Sequence, residues 1–154
     1  MQTGVDMIYF VIVAAIFTGD FLLKNYIEKH KTLGKTEKIC KEKILVTRYH
    51  NRGAFLNLME KNREILLIAS GILIGLLAMF LLILLPQKGK KLLKLGAAFM
   101  LGGAASNVYD RVKRGFVVDY FSFSFFNKVV FNISDFFIFI GSIIVAIRLA
   151  LQED

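Results

Sequence analysis

The sequence predicts an all-α membrane protein with four transmembrane helices and a small β-containing loop region. Of its 154 residues, 56% are hydrophobic and the mean hydropathy is +0.59, which is too apolar for an ordinary soluble domain. Four long apolar stretches are separated by charged loops, and two of these loops contain runs of β-branched and aromatic residues. We therefore expect one integral membrane domain over residues 1–154.

A helix needs about 20 mainly apolar residues to cross the hydrocarbon core of a bilayer. The first predicted span lacks the basic start and the small-residue cleavage site of a signal peptide, so we interpret it as a retained helix. The second span carries no charge and is closed by Pro86, where a helix usually stops. The four predicted spans cover about residues 7–23, 65–85, 92–109 and 132–151.

The third and fourth predicted spans show how the helices are expected to pack and begin. Ala98, Gly102 and Ser106 recur every four positions, and this stripe of small residues lets another helix approach closely. Lys94, at the start of the third span, is expected to extend its ammonium group to the membrane interface. Asn132 or Ser134 is expected to cap the N-terminus of the fourth span.

Two loops carry β-like sequence. The loop region 26–64 is charged at first and then contains KILVTRYHN before a turn at residues 51–53, which predicts a short strand or hairpin at the membrane surface. The third loop contains RGFVVDYFSFSFFN, which alternates apolar and polar residues and is rich in aromatic side chains. We expect this loop to lie in the interface and to cover a site.

Counting membrane crossings places most of the polar residues of interest on one side. The end of span one, the first and third loops and the start of span four share that side in either orientation. The opposite side carries the short N-terminus, a Lys-rich loop and the C-terminal tail. The polar residues on the shared side are Asp20, Asn51, Asn107, Asp110, Arg111, Asp119, Asn132 and Asp135.

Several of these polar residues have ordinary structural interpretations. Asp20 and Lys24 are spaced i, i+4 with the acid first, which favours an ion pair within one helix. Asp110 and Arg111 fit a supporting role at a helix end. Asp119 and Asp135 are harder to explain structurally, because both lie in apolar sequence without a basic neighbour.

A pair of nearby carboxylates titrates in two steps, so one can activate water while the other donates a proton. Asp119 and Asp135 are therefore candidates for an aspartic protease pair. Proton or ion translocation and a structural hydrogen-bonding role are the alternatives that the residues leave open.

Other features exclude several kinds of function. Cys40 is the sole cysteine, which excludes an intrachain disulfide and the Cys-based zinc patterns. His30 and His50 have no second ligand at metal spacing, so we expect neither a metal nor a cofactor. The net charge is +8, and the basic residues lie between the apolar spans. We therefore expect anionic lipid head groups, and no nucleic acid, as the partners of these residues.

The chain resembles the lipoprotein signal peptidase family, also called signal peptidase II, over essentially its whole length. The resemblance is carried by five blocks in the family's order. These blocks are GDFLLK at the end of span one, NRGAF in the first loop, GGAASNVYDR in span three, GFVVDYF in the third loop and FNISD at the start of span four.

This resemblance implies an intramembrane aspartic endopeptidase. It would remove the signal peptide of a bacterial prolipoprotein by cutting before a diacylglyceryl-modified cysteine, as a monomer without a cofactor. The implied catalytic residues are Asp119 and Asp135. The implied substrate-binding residues are Asn51, Gly53, Asn107, Arg111 and Asn132, with Asn132 also orienting Asp135, and the supporting residues are Asp20, Lys24, Gly103 and Asp110.

Two departures from the family pattern lie close to the implied site. Ser106 stands where a glycine is usual, and we expect it to widen a helix contact. Ser134 stands where an alanine is common, and we expect its hydroxyl to bond a catalytic oxygen.

The charge distribution and the resemblance disagree on orientation. Ten Lys and Arg in the first loop and four in the third, against four in the second, put the site side in the cytoplasm by the positive-inside rule. The resemblance implies the extracytoplasmic side of the bacterial cytoplasmic membrane, which we adopt because five Glu accompany the first-loop cations. A small proton-coupled transporter and a catalytically silent paralogue that binds lipidated peptides are the alternative functions.

Overall fold

The computed structural model describes residues 3–53 and 62–151. Within them the chain is mostly helical, with a small antiparallel sheet formed by the two β-like loops, as the sequence predicts. The helices are α1 (Thr3–His30), α2 (Arg63–Leu84), α3 (Lys91–Arg114) and α4 (Ile133–Ala150). The strands are β1 (Thr36–Ile39), β2 (Ile44–Asn51), β3 (Val117–Phe123) and β4 (Phe126–Phe131).

Three helices are long and apolar enough to cross a membrane: α1 over residues 6–30, α2 and α4. Helix α3 has a comparable length, but its small and charged residues make it less apolar. It packs against each of the other three helices, and four of its polar residues are buried there: Lys94, Ser106, Asn107 and Asp110. Three of the four predicted spans are thus supported by length and composition.

Helices α1 and α3 both extend beyond their predicted ends at residues 23 and 109. The sequence indicated ends there because charged residues follow. In the structure those charges are paired inside the protein, since Lys24 Nζ lies 3.2 Å from Asp110 Oδ2. Helix α3 continues to Arg114 and stops at Gly115, whose left-handed φ of 77° is typical of a helix C-terminus.

The small-residue stripe of α3 brings it close to two helices. A Cβ atom added to Gly102 would lie 3.1 Å from the Val13 carbonyl oxygen of α1. One added to Gly103 would lie 2.5 Å from the Ser134 carbonyl oxygen of α4. The predicted close approach is therefore confirmed at Gly102, and Gly103 sets the distance between α3 and the first turn of α4.

The expectation that Lys94 extends to the interface is wrong. Lys94 is 5% exposed, and its ammonium group turns inward to contact Asp6 Oδ1 at 2.9 Å and the Leu85 carbonyl oxygen. Asp6, at the start of α1, lies beside the start of α3 and is 21% exposed, so pairing with this partly buried acid outweighs the preference of the ammonium group for water.

The strands form one sheet in the order β1-β2-β3-β4 with antiparallel neighbours. The hairpin predicted in the first loop is β1–β2, while the pairing of β2 with β3 joins two loops that α2 and α3 separate. The register places Tyr49 opposite Asp119 and Asn51 opposite Val117, after an irregularity between Val46 and Tyr49. This pairing brings the end of β2 to the Asp119 strand.

Candidate active site

The alternation of β3 sends its side chains to two different places. Val117 and Asp119 line a cavity, whereas Val118 and Tyr120 pack with Ile27 in a small core on the other face. Asp119 is 2% exposed. The apolar sequence around this aspartate is thus explained by a strand that is buried on both faces.

Asp135 is fixed by the start of α4. Asn132 caps this helix and forms a capping box, in which Asn132 Oδ1 accepts the Asp135 N–H at 3.0 Å and Asp135 Oδ2 accepts the Asn132 N–H at 3.0 Å. The expectation of an N-cap at Asn132 is confirmed, and Ser134 does not take that role. The cap holds the Asp135 carboxylate against the backbone of its own helix start.

Three asparagine side chains hold the two carboxylates together. Asn132 Nδ2 donates to Asp119 Oδ1 at 2.7 Å, and Asn51 Nδ2 donates to Asp119 Oδ2 at 3.0 Å. Asn107 Nδ2 donates to Asp135 Oδ1 at 2.9 Å. Together with the capping bond, every carboxylate oxygen of the pair accepts a hydrogen bond, and Asn132 bonds both acids.

Burial and the neighbouring Asp135 charge raise the pKa of Asp119 to about 7, against the lowering effect of its bonds from Asn51 and Asn132. Asp119 is therefore partly protonated at neutral pH. A carboxyl group that holds its proton near neutrality can serve as a general acid. The site thus offers an acid at Asp119 beside a second, hydrogen-bonded carboxylate at Asp135.

Both aspartates line a cavity of about 990 Å³. Most of its other lining residues are apolar side chains of β3, β4 and α4, including Phe123, Phe126, Phe131, Phe136 and Phe139. Arg111 also lines the cavity, and its buried Nε has no hydrogen-bond partner among the residues that the structure describes. The cavity thus combines an apolar wall with the positive charge of Arg111.

A buried polar cluster lies behind the pair, formed by Asp20, Lys24, Ser106, Asp110, Tyr120 and Ser134. Lys24 Nζ contacts Asp20 Oδ2 at 2.8 Å, so the predicted i, i+4 ion pair is present and fully buried. Asp110 is also buried, and its Oδ2 accepts the Val118 N–H at 3.1 Å. Asp110 thereby ties the end of α3 to β3.

The two serines both bond Asp20, which corrects the expectation for Ser134. Ser134 Oγ donates to Asp20 Oδ2 at 2.6 Å instead of bonding a catalytic oxygen. Ser106 Oγ donates to the same oxygen at 2.6 Å and is buried, so its hydroxyl is hydrogen-bonded within the contact between α3 and α1. Both hydroxyls donate hydrogen bonds to the buried Asp20 carboxylate. Such bonds are needed because burying a charge without hydrogen-bond partners is costly.

Sequence reasoning did not identify Tyr120. Its hydroxyl donates to Asp20 Oδ1 at 2.9 Å and accepts the Ile133 N–H at 2.9 Å. Burial and the nearby Asp20 raise the pKa of Tyr120, so the hydroxyl keeps its proton. The alternation in VVDYF was the available signal, because it places Tyr120 on the face opposite Asp119.

The turn after β2 is described as far as Gly53, whose N–H donates to Asn51 Oδ1 at 3.2 Å. The next two residues of the NRGAF block, Ala54 and Phe55, lie outside the described residues.

Across the described ranges there is no group of three or more His, Cys, Asp or Glu able to hold a metal ion.

The fold and the site define a mostly helical membrane protein whose carboxylate pair faces an apolar cavity. The model of the signal peptidase (SPase) II family matches residues 12–151. The chain therefore belongs to the signal peptidase II family, and it is a peptidase of the membrane. This membership does not favour the transporter alternative.

Similar proteins cover nearly the whole chain. A lipoprotein signal peptidase of Caldanaerobacter subterraneus is 34% identical, over 87% of this chain and 90% of the relative. That of Clostridioides difficile is 33% identical, over 96% and 97%. A bacterial membrane enzyme solved by the in meso method at 2.3 Å superposes with a TM-score of 0.82 at 23% identity, over 94% of this chain and 88% of that one, which supports the fold.

Proposed function

We propose that this protein is an intramembrane aspartic endopeptidase that removes the signal peptide from diacylglyceryl-modified prolipoproteins by cutting before the lipidated cysteine. The observation that carries the proposal is the Asn132 side chain. It bonds Asp119 through Nδ2 and the Asp135 N–H through Oδ1, which holds two acids from different elements at one cavity. Relatives named lipoprotein signal peptidase support the choice of substrate.

In the proposed mechanism Asp135 is the general base and Asp119 is the general acid. Asp135 lies in the first turn of α4, where the helix dipole favours the anion. It takes a proton from water, and the oxygen of that water attacks the scissile carbonyl carbon while Asp119 donates its proton to the carbonyl oxygen. Collapse of the tetrahedral intermediate breaks the C–N bond, as Asp135 protonates the leaving nitrogen and Asp119 recovers its proton.

The cavity fits a peptide that carries apolar groups. Its aromatic wall would accommodate the hydrophobic part of a signal peptide and the lipid on the cysteine. Arg111 would bind a backbone carbonyl oxygen of the substrate, since it lines the cavity together with Asp119 and Asp135. Asn51, Asn107 and Asn132 already hold the carboxylates through Nδ2, so we assign them chiefly to positioning the pair, and Gly53 to shaping the turn that presents Asn51.

We also propose that α3 is the fourth span and that the site faces the extracytoplasmic side of the bacterial cytoplasmic membrane, in a single-domain monomer surrounded by lipid. Ion pairs in the first-loop region support this orientation, because they offset the positive charge that opposes it. These pairs are Lys31–Glu37 at 2.6 Å, Lys38–Glu42 at 2.9 Å and Arg48–Glu28 at 3.1 Å.

The test is cleavage of a diacylglyceryl-modified prolipoprotein by the purified, detergent-solubilised protein. We expect cleavage before the lipidated cysteine by the wild type, and a loss of at least about 1000-fold in Asp119→Asn and in Asp135→Asn. The unlipidated precursor is the substrate control. Binding without cleavage by a folded wild type would support the catalytically silent alternative and overturn the proposal.

A further inference from the structure

Lys24 contacts the carboxylate pair through one intermediate residue. Its Nζ donates to Asn107 Oδ1 at 2.8 Å, and Asn107 Nδ2 donates to Asp135 Oδ1 at 2.9 Å. Lys24 and Asn107 are 83 residues apart in the chain. The contact therefore links α1 to Asp135 through α3.

The Lys24 ammonium group is the nearer of two donors that face the Asn107 amide oxygen, and its charge bears on which end of the amide faces Asp135. An amide group has a donor end and an acceptor end, whereas an ammonium group can only donate. Reversing the Asn107 side chain would put its NH₂ against Lys24 and its carbonyl oxygen against the Asp135 carboxylate. Both contacts would then be repulsive, so the charge on Lys24 favours the orientation that donates to Asp135. Asn132 Nδ2 supports the same orientation, since it donates to Asn107 Oδ1 over the longer distance of 3.2 Å.

The two aspartates around Lys24 have enough other partners to leave it available to Asn107. Asp20 accepts bonds from Ser106, Ser134 and Tyr120 in addition to Lys24. Asp110 is contacted by Arg114 Nε at 2.7 Å and by the Val118 N–H. The three protons of the ammonium group are shared among four acceptors, and the contacts of Lys24 Nζ with Asn107 Oδ1 and Asp20 Oδ2, both at 2.8 Å, are shorter than those with Ser106 Oγ at 3.1 Å and Asp110 Oδ2 at 3.2 Å.

From this geometry we infer that Lys24 is a positioning residue for the peptidase reaction, acting through the amide orientation of Asn107 to keep an N–H donor on Asp135. The inference rests on the proposed function. Lys24 does not line the cavity, so its effect on the reaction is expected in kcat and not in substrate binding.

The first experiment compares Lys24→Met with Lys94→Met. Lys94 is a matched control, because it is also a buried lysine bonded to an aspartate, Asp6, but it lies at the other end of α3. We expect Lys24→Met to lower kcat about 10- to 100-fold, the usual effect of losing a bond to a charged group, with KM within about twofold. Folded Lys94→Met should retain kcat, and an equal loss of kcat in both variants would overturn the inference.

The second experiment is a double-mutant cycle with Asn107→Ala. If Lys24 acts through Asn107, Lys24→Met should lower kcat no further once Asn107 is absent. A purely structural role would instead give two losses that multiply, which contradicts the inference. Cleavage by the wild type in the same assay separates this outcome from a failure of the proposed function.

Lys24→Met leaves Asp20 with a buried negative charge, so folding is checked by size-exclusion chromatography and thermal melting. The charge-neutral variant Asp20→Asn/Lys24→Met removes both members of the pair, while Asp110 keeps Arg114. We expect this variant to fold and to show the same loss of kcat. If it folds with wild-type kcat, or if neither variant folds, Lys24 is a folding residue and the inference is wrong.

Discussion

Asn51 and Asp119 lie 68 residues apart in the chain, and Asn51 Nδ2 donates to Asp119 Oδ2 over 3.0 Å. The register of β2 and β3 makes this contact, since Asn51 is opposite Val117, two residues before Asp119. The first loop therefore supplies one of the two side-chain donors of this carboxyl group. Loss of that donor should impair catalysis without loss of the fold.

Asn51→Ala is expected to lower kcat/KM about 10- to 100-fold, because the bond it removes is made to a charged or partly charged carboxyl group. Asn25→Ala is the control, since the Asn25 side chain bonds Arg114 and not the carboxylate pair. Steady-state kinetics on a lipidated substrate measure both. Equal activity in Asn51→Ala and wild type would show that the contact is not used.

The raised pKa of Asp119 predicts the pH dependence of the reaction. Asp119 must hold its proton to act as the acid, and its pKa is about 7, so kcat/KM should fall as the pH rises through this value. A profile from pH 5 to 9 in one detergent measures the effect. Activity that stays constant through pH 9 would contradict the acid role of Asp119.

The same pKa predicts how stability depends on pH. Unfolded Asp119 loses its proton near pH 4, whereas folded Asp119 keeps it up to about pH 7. The folded state thus binds more protons between these values, and stability falls as the pH rises across them. We expect the Tm of wild type to fall more steeply from pH 4 to 8 than that of Asp119→Asn. Parallel curves for the two proteins would refute this.

Gly103 sets the contact between α3 and the first turn of α4. In Gly103→Ala the new Cβ would lie 2.5 Å from the Ser134 carbonyl oxygen and 2.9 Å from Ile138 Cγ1. Overpacking of this kind costs about 1–3 kcal/mol, and the shift of α4 should displace Asp135. Gly75→Ala on α2 is the control, because no atom of the residues that the structure describes lies within 4 Å of its added Cβ. We expect a lower Tm in thermal melting and a lower rate in cleavage assays for Gly103→Ala than for Gly75→Ala.

Cys40 reports the orientation of the protein. It is exposed and is the sole cysteine of the chain, in the hairpin whose sheet carries Asp119. A membrane-impermeant maleimide should label Cys40 in intact spheroplasts if the site faces outward. Cys40→Ser controls for other targets. Labelling that requires membrane permeabilisation would reverse the proposed orientation.

Local sequence was sufficient for features that depend on near neighbours. The capping role of Asn132 and the ion pair of Asp20 with Lys24 follow from short spacings, and the approximate positions of the spans follow from apolar length. The sequence motifs also singled out Asp119 and Asp135, and the structure brings both to one cavity.

Contacts between distant residues could not be predicted in this way. The bond from Tyr120 to Asp20 joins residues 100 apart, and the inward turn of Lys94 depends on Asp6, 88 residues away. A charged residue in isolation indicates a helix end or a contact with water. Only the packing of the helices supplies the partner that makes its burial favourable, which is why the predicted ends of α1 and α3 were too early.

The pairing of β2 with β3 across two helices has a consequence for biosynthesis. A nascent chain that has been made only as far as α3 contains Asn51 and Asn107 but neither Asp119 nor Asp135. The sheet cannot close until β3 has emerged, and the second acid arrives with the last helix. Under the proposed mechanism, the chain therefore gains hydrolytic capacity only when the start of α4 has been made, so a partly synthesised chain would not cleave its neighbours in the membrane.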